Sequence, residues 1–211
     1  MEVELRAGLA ELRLSLTDRQ VAQLIAYAAL LQKWGRTYNL TALLTPHEIV
    51  AHHLLDSLAV VEPMRRMLGA LPERLLDVGS GAGLPGAVIA VANPEIHVDC
   101  LDAVAKKAAF VQQAAGAVGL ANLRGVHGRV EAWRERYPLV TSRAFASLAD
   151  FVRLSGNVLA EGGVWMALKG KYPSEEIAAL PTDVEMFHVE QLAVPTLNAD
   201  RCIVWMRRAH T

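Results

Sequence analysis

The chain has little of what usually announces a function. Only two of its 211 residues are cysteines, Cys100 and Cys202, far apart and without C-x-x-C spacing, so neither a zinc site nor a disulfide framework is indicated. Each lies in an apolar run, where a buried, inert thiol is expected. No run of 18 apolar residues occurs, which leaves no hydropathic membrane span and no membrane partner. From Glu2 to Arg13 charged residues recur and the apolar stretch of a signal peptide is missing, so a soluble, cytoplasmic protein is expected. An excess of one charge is also lacking: 21 Lys plus Arg stand against 22 Asp plus Glu. Overall charge therefore gives no sign of a nucleic-acid partner. There is no repeat at solenoid periods and no low-complexity tract. With aromatics at 6%, the four tryptophans read as core or helix-packing residues.

What is present is a large apolar fraction, 53%, enough for one ample domain or one domain with a modest extension. Residues 1–70 read as helices only, an N-terminal helical cap. Thr17-Asp18-Arg19-Gln20 is a capping box, with Leu16 and Val21 at hydrophobic-staple spacing. Val21, Leu24, Ile25, Ala28, Leu31 and Trp34 then recur at helical spacing, and Gly35 marks the end. A second start is Thr45-Pro46-His47-Glu48, followed by a core face of Ile49, Val50, Leu54, Leu55, Leu58 and Val61. The pair His52-His53 has no acids at ligand spacing and reads as structural or surface, with no metal site.

Residues 71–211 change rhythm. Strands are expected at Leu75–Val78, His97–Leu101, Leu123–His127, Leu139–Thr141, Val164–Leu168, His188–Gln191 and Cys202–Met206. Helices are expected at Ala87–Ala92, Val104–Val118, Leu148–Leu159 and Glu175–Leu180. This alternation predicts an α/β fold, a doubly wound, mainly parallel seven-stranded sheet of the Rossmann-like kind. No helix separates the last two strands, so they are expected to pair antiparallel at the edge.

The first strand ends in Asp77-Val78-Gly79-Ser80-Gly81-Ala82-Gly83-Leu84-Pro85-Gly86. Glycines there let the backbone turn sharply and let a ligand come close to the main chain. Two registers compete. Gly81-x-Gly83-x-x-Gly86 matches the dinucleotide fingerprint, with Asp102 at the distance of a ribose-binding acid. The other register, acid-x-Gly-x-Gly-x-Gly from Asp77 to Gly83, is the pattern of S-adenosylmethionine-dependent methyltransferases. An acid at the base of the loop suits the cationic ammonium of a methionine moiety and would repel a pyrophosphate. The chain also has no room for a nicotinamide-type substrate domain, so the methyltransferase reading is preferred. Asp102 would then accept hydrogen bonds from a ribose diol, against the plainer role of capping the helix after Val104.

Asn39-Leu40-Thr41, His53-Leu54-Leu55-Asp56-Ser57-Leu58, the glycine loop with Leu84-Pro85-Gly86, Thr141-Ser142-Arg143-Ala144 and Leu168-Lys169-Gly170 together resemble the RsmG family, also called GidB. The resemblance runs from about Val21 to Arg208. It implies an S-adenosylmethionine-dependent enzyme that methylates N7 of one guanine (position 527 in the usual numbering) of bacterial 16S ribosomal RNA. It also implies Gly79 and Leu84 at the methionine end of the cofactor, with Ser80, Gly81 and Gly83 in the same loop. Asp102 and Ala103 would lie by the ribose, Val130-Glu131 beside the adenine, and Arg143 at the pocket floor as the catalytic residue. The sequence departs from the family at Ala103, where Ser is common, and at Pro138, where Asp is usual.

Guanine N7 carries a lone pair and no proton, so no general base and no catalytic triad are expected. Arg143 is expected to orient the methionine carboxylate or guanine O6/N7. RNA contact would come from local charge: Arg124, Arg129, Arg134, Arg136 and Arg143, together with Lys169, Lys171, Arg201, Arg207 and Arg208, lining one face. Asn39, Thr41 and His53 would face the substrate from the helical cap. The expected partner is 16S ribosomal RNA or the small ribosomal subunit, and a monomer is favoured because no unexplained apolar stripe remains. Two other functions stay open: a methyltransferase of this fold acting on a small molecule or protein, and a non-enzymatic cofactor-sensing module.

Overall fold

Both capping boxes form. Gln20 N–H donates to Thr17 Oγ1 at 3.3 Å while Thr17 N–H donates to Gln20 Oε1 at 2.9 Å, and Thr45 and Glu48 repeat the exchange. The computed structural model describes residues 1–143, Phe145 and residues 147–209; Ala144, part of the motif around Arg143, lies outside the described residues. Helix α1 (Glu2–Glu11) precedes α2 (Asp18–Trp34), which the first box starts. The second box starts α3 (46–58), whose middle, Ile49–Leu55, widens to π-helical pitch before Asp56–Leu58 returns to α. Helix α4 (Val61–Leu68) completes the N-terminal group. The expected core face of α3 is buried throughout. On α2 the buried face includes Tyr27, which helical spacing of aliphatic residues had passed over.

The remaining elements are β1 (Arg74–Val78), α5 (Gly86–Ala92), β2 (His97–Asp102), α6 (Ala105–Val118), β3 (Leu123–His127), β4 (Tyr137–Arg143), α7 (Leu148–Ser155), β5 (Leu159–Lys169), α8 (Ser174–Ala178), β6 (Val184–Leu192) and β7 (Arg201–Arg208). They build one seven-stranded sheet in the order β3-β2-β1-β4-β5-β7-β6. β1 to β5 run parallel, and β7 runs antiparallel to both β5 and β6. The fold is thus the expected mainly parallel, doubly wound sheet, with the antiparallel pair at its edge.

Several boundaries differ: β4 runs to Arg143, β6 starts at Val184, four residues before the expected His188, and the largest shift is at β5. The helix expected to reach Leu159 stops at Ser155, and β5 begins at Leu159, five residues before the expected Val164. Leu159 pairs with Tyr137, and a bulge between Tyr137 and Leu139 absorbs the extra residues of β5. The glycines at 162 and 163 therefore lie inside the strand rather than leading it, with Gly162 at φ +70°.

Helices α1 to α6 cover one face of the sheet and α7 and α8 the other. The N-terminal helices do not stand apart: Leu5, Tyr27, Leu54 and Met64 belong to the same buried cluster as Leu75, Phe110 and Trp205. Polar side chains on α2 close the ends of the neighbouring helices. Gln20 Nε2 donates to Val91 O at 2.7 Å and Gln23 Nε2 to Val118 O at 3.1 Å, satisfying carbonyls that a helix end leaves free. Among the described residues no helix is long and apolar enough to cross a membrane.

Candidate active site

The parallel strands point their carboxyl ends to one edge, where open sheets of this kind bind ligands. After β1 the chain turns through Gly79, Gly81 and Gly83, at φ +67°, +59° and +77°. These left-handed conformations favour glycine. The turn is pinned by Gly79 N–H to Leu101 O at 2.8 Å and by Gly81 N–H to Asp102 Oδ2 at 2.9 Å. A Cβ on Gly79 or Gly81 would meet nothing within 4 Å, so the main chain there borders open space. Gly83 and Gly86 serve packing instead. A Cβ at Gly83 would lie 2.5 Å from the Tyr27 hydroxyl, and one at Gly86 2.5 Å from Cys100 Sγ.

The acids take positions the sequence leaves undetermined. Asp77 is fully buried; its Oδ2 accepts from Gly86 N–H at 2.8 Å, at the first turn of α5, and its Oδ1 has no partner. Burial raises this carboxyl to about 7. Asp102 both pins the loop and caps the segment before α6, its Oδ1 accepting from Val104 N–H at 2.8 Å. Each Asp102 oxygen still has a second lone pair. Gly79, Ala103 and Glu131 are exposed around this edge, whereas Ser80, Leu84 and Val130 are buried. Ser142, next to Arg143, locks β4 to β1 through Oγ to Val78 O at 2.8 Å.

Beside the loop, at the ends of β4, β5 and β7, lies a cavity of ≈ 370 Å³. Arg143, Lys169, Arg201 and His53 all line it, so four residues singled out from distant parts of the sequence converge on one space. The carboxylate of Asp56, 5% exposed, joins two of them: Oδ2 accepts from Arg143 Nη1 at 3.1 Å and Oδ1 from Arg201 Nε at 2.7 Å. Lys169 Nζ pairs with Glu176 of α8 at 2.7 Å. His53 is not a surface residue. Its Nε2 meets Thr41 Oγ1 at 2.9 Å, and burial, with the nearby Arg143 charge, lowers its pKa to about 4. Asn39, exposed at φ +52°, and Arg129, also exposed, lie outside the cavity lining.

The single basic face expected from the arginines does not form. Arg124 is at the amino end of the sheet, with its guanidinium on Asp99 at 2.7 and 2.9 Å and on Glu135 at 3.2 Å, in a cluster completed by Arg74 and Tyr137. Antiparallel β7 carries Arg201 to the carboxyl edge and Arg207 and Arg208 to the opposite one, where Arg207 pairs with Glu185 and Arg208 binds Gly156 O. Topology, not composition, decides which cations share a side. Asp56, Glu176 and Tyr27 are the contributors that sequence reasoning missed. Asp56 lay inside a quoted motif, but its partners come from strands far along the chain.

The family model for rRNA small subunit methyltransferase G matches residues 20–204. A ribosomal RNA small subunit methyltransferase G of Albidiferax ferrireducens is 58% identical over 219 residues, covering 99% of this chain and 98% of that protein. One of the same description from a Polaromonas species is 60% identical over 210 residues, covering 98% and 93%. Among solved structures, TrmN from Thermus thermophilus superimposes with a TM-score of 0.57 at 17% identity, over 76% of this chain and 53% of that one, which is a likeness of fold alone. The glycine loop, the cationic cavity beside it and these matches lead to one conclusion: the chain belongs to the rRNA small subunit methyltransferase G family.

Proposed function

We propose that this protein transfers a methyl group from S-adenosylmethionine to N7 of a specific guanine in bacterial 16S ribosomal RNA, in the cytoplasm. The observation that carries the reading is the position of Arg143. It ends β4, the strand beside β1, and lines the cavity, near enough for its charge to act on Asp77 and to donate to Asp56. A donor site and an acceptor site would then share one edge of the sheet, with Arg143 on the border.

The residues fit the cofactor. Main chain at Gly79 and Gly81 borders open space, the buried Asp77 would become a negative pole once a cation lies near it, and Asp102 offers lone pairs where a ribose diol would lie. Ala103 and Glu131, both exposed, would take the remainder of the nucleoside. When bound, S-adenosylmethionine supplies an electrophilic methyl on a good leaving group. What this chain must add is placement, and alignment of reacting groups is worth up to roughly 7–11 kcal/mol.

Guanine N7 needs no deprotonation, so neither the buried His53, whose pKa is lowered to about 4, nor Asp56, held by two arginines, is called on as a base. Alkylation makes the base cationic, so a neutral His53 spares the pocket one opposing charge. Arg143 would donate to guanine O6. A fork closing on O6 and N7 together would occupy the lone pair that reacts. Lys169, Arg201 and the exposed Arg129 would meet RNA phosphates. The test is incorporation of labelled methyl into purified small subunits that lack the modification, with a small-molecule catechol and bulk ribosomal protein as competing acceptors. Label in the RNA supports the reading; label only in the competitors overturns it.

A further inference from the structure

Asp56 is the only carboxylate among the described residues lining the cavity. It follows directly on the π-helical turn of α3, and its two arginines belong to β4 and β7, strands separated by β5. One carboxylate therefore bridges the cavity between strands that do not touch. Arg143 Nη1 is held further by His52 O at 3.3 Å and Arg201 Nη1 by Asp200 O at 2.8 Å. Among the described residues, this leaves Nε and Nη2 of Arg143 and Nη2 of Arg201 without a protein partner.

Two consequences follow from charge and geometry. Two guanidinium groups beside a base that is becoming a cation oppose the reaction, and the opposition is stronger in a partly desolvated pocket than in water. Lys169 is offset by Glu176 and His53 is neutral, so the balance between Arg143, Arg201 and Asp56 decides the local potential. Tethering Nη1 of Arg143 also restricts the plane in which its remaining donors, Nε and Nη2, can meet the base.

We propose that Asp56 is the positioning and charge-balancing residue of the methyl-acceptor pocket, holding Arg143 and Arg201 while lowering the positive potential at the reacting base. This rests on the reading of the cavity as the guanine site. Asp56 does not touch the reacting atoms; it acts through the arginines and through its field.

Asp56→Asn keeps the shape and removes the charge. The expected result is a fall in kcat of about tenfold or more, with KM for small subunits unchanged or lower, because the pocket becomes more attractive to phosphate while less tolerant of a cationic base. The double variant Asp56→Asn/Arg201→Gln restores the net charge and is expected to recover several-fold of that loss. S-adenosylmethionine affinity, measured by calorimetry, serves as the folding check. If Asp56→Asn does not fold, the double variant is compared with Arg201→Gln, and the expectation is a kcat about fivefold lower at equal KM. An unchanged kcat, a defect confined to KM, or a double variant no better than the folded single one overturns the proposal. Failure of the wild-type protein to methylate small subunits would instead overturn the function on which it rests.

Discussion

The hydroxyl of Tyr27 donates to the carbonyl of Ala82 at 2.6 Å, joining helix α2 to the centre of the glycine loop across 55 positions of sequence. Tyr27 is fully buried, its ring stands edge-on to Phe110, and its hydroxyl occupies the space a side chain at Gly83 would need. Burial pushes the phenol well above its ordinary pKa, so it remains a donor. The N-terminal helices are therefore the bed of the loop as well as a cover for the sheet.

Tyr27→Phe removes that bond and leaves a buried carbonyl without its donor. The expected cost is about 1–2 kcal/mol in a urea melt, with a several-fold loss of S-adenosylmethionine affinity by titration calorimetry. Unchanged affinity would separate α2 from the site.

The glycines should divide into two classes. Gly81→Asp places a carboxylate in open space beside Asp102 at a left-handed position, and we expect it to abolish cofactor binding while the protein stays folded. Gly86→Ala forces a methyl against Cys100 Sγ and Asp77 Oδ2, and the expected loss is about 1–3 kcal/mol of stability. Retained micromolar affinity in Gly81→Asp would refute the role given to the loop.

Asp77 sets a pH dependence. Its folded pKa of about 7 lies above the 3.8 of an unperturbed acid, so the native state keeps a proton that the unfolded chain releases. That advantage is fully present below about pH 4 and is lost as pH rises through about 7. Asp77→Asn removes this contribution. Between pH 5 and 8 the variant should gain roughly 2–3 kcal/mol on the wild type in paired urea melts of unliganded protein. It should also bind S-adenosylmethionine more weakly. Parallel stability curves for the two proteins would contradict this.

Arg124 should matter to the fold and not to the reaction. Its partners Asp99 and Glu135 lie at the far edge of the sheet, and half of its side chain is in solvent. Arg124→Ala is expected to cost about 1 kcal/mol and to change methyl transfer by less than about twofold. A large loss of transfer would restore it to the RNA surface.

The alternation that gave the sheet was legible because strands and helices write their own period locally: the β2 run, the β3 run and the glycine loop all fell where they were read. Arg143 was named through the family resemblance, and the strand that carries it reaches two residues beyond the expected Thr141. β5 was misjudged because Leu159-Ala160-Glu161 continues a helical pattern, and only pairing with Tyr137 makes it a strand. Asp56 and Tyr27 were missed because their roles are set by partners 145 and 55 positions away. The same limit produced the mistaken basic face, since sequence proximity cannot tell which end of the sheet an arginine occupies.

The central claim is that the cavity beside the glycine loop presents one guanine of 16S ribosomal RNA to a bound methyl donor. The most direct measurement is single-turnover labelling of unmodified small subunits, followed by borohydride reduction and aniline cleavage of the RNA. The account predicts one methyl per subunit and chain scission at a single guanine, the mark of N7 alkylation. Labelled RNA that resists cleavage, or cleavage scattered over many guanines, would contradict it.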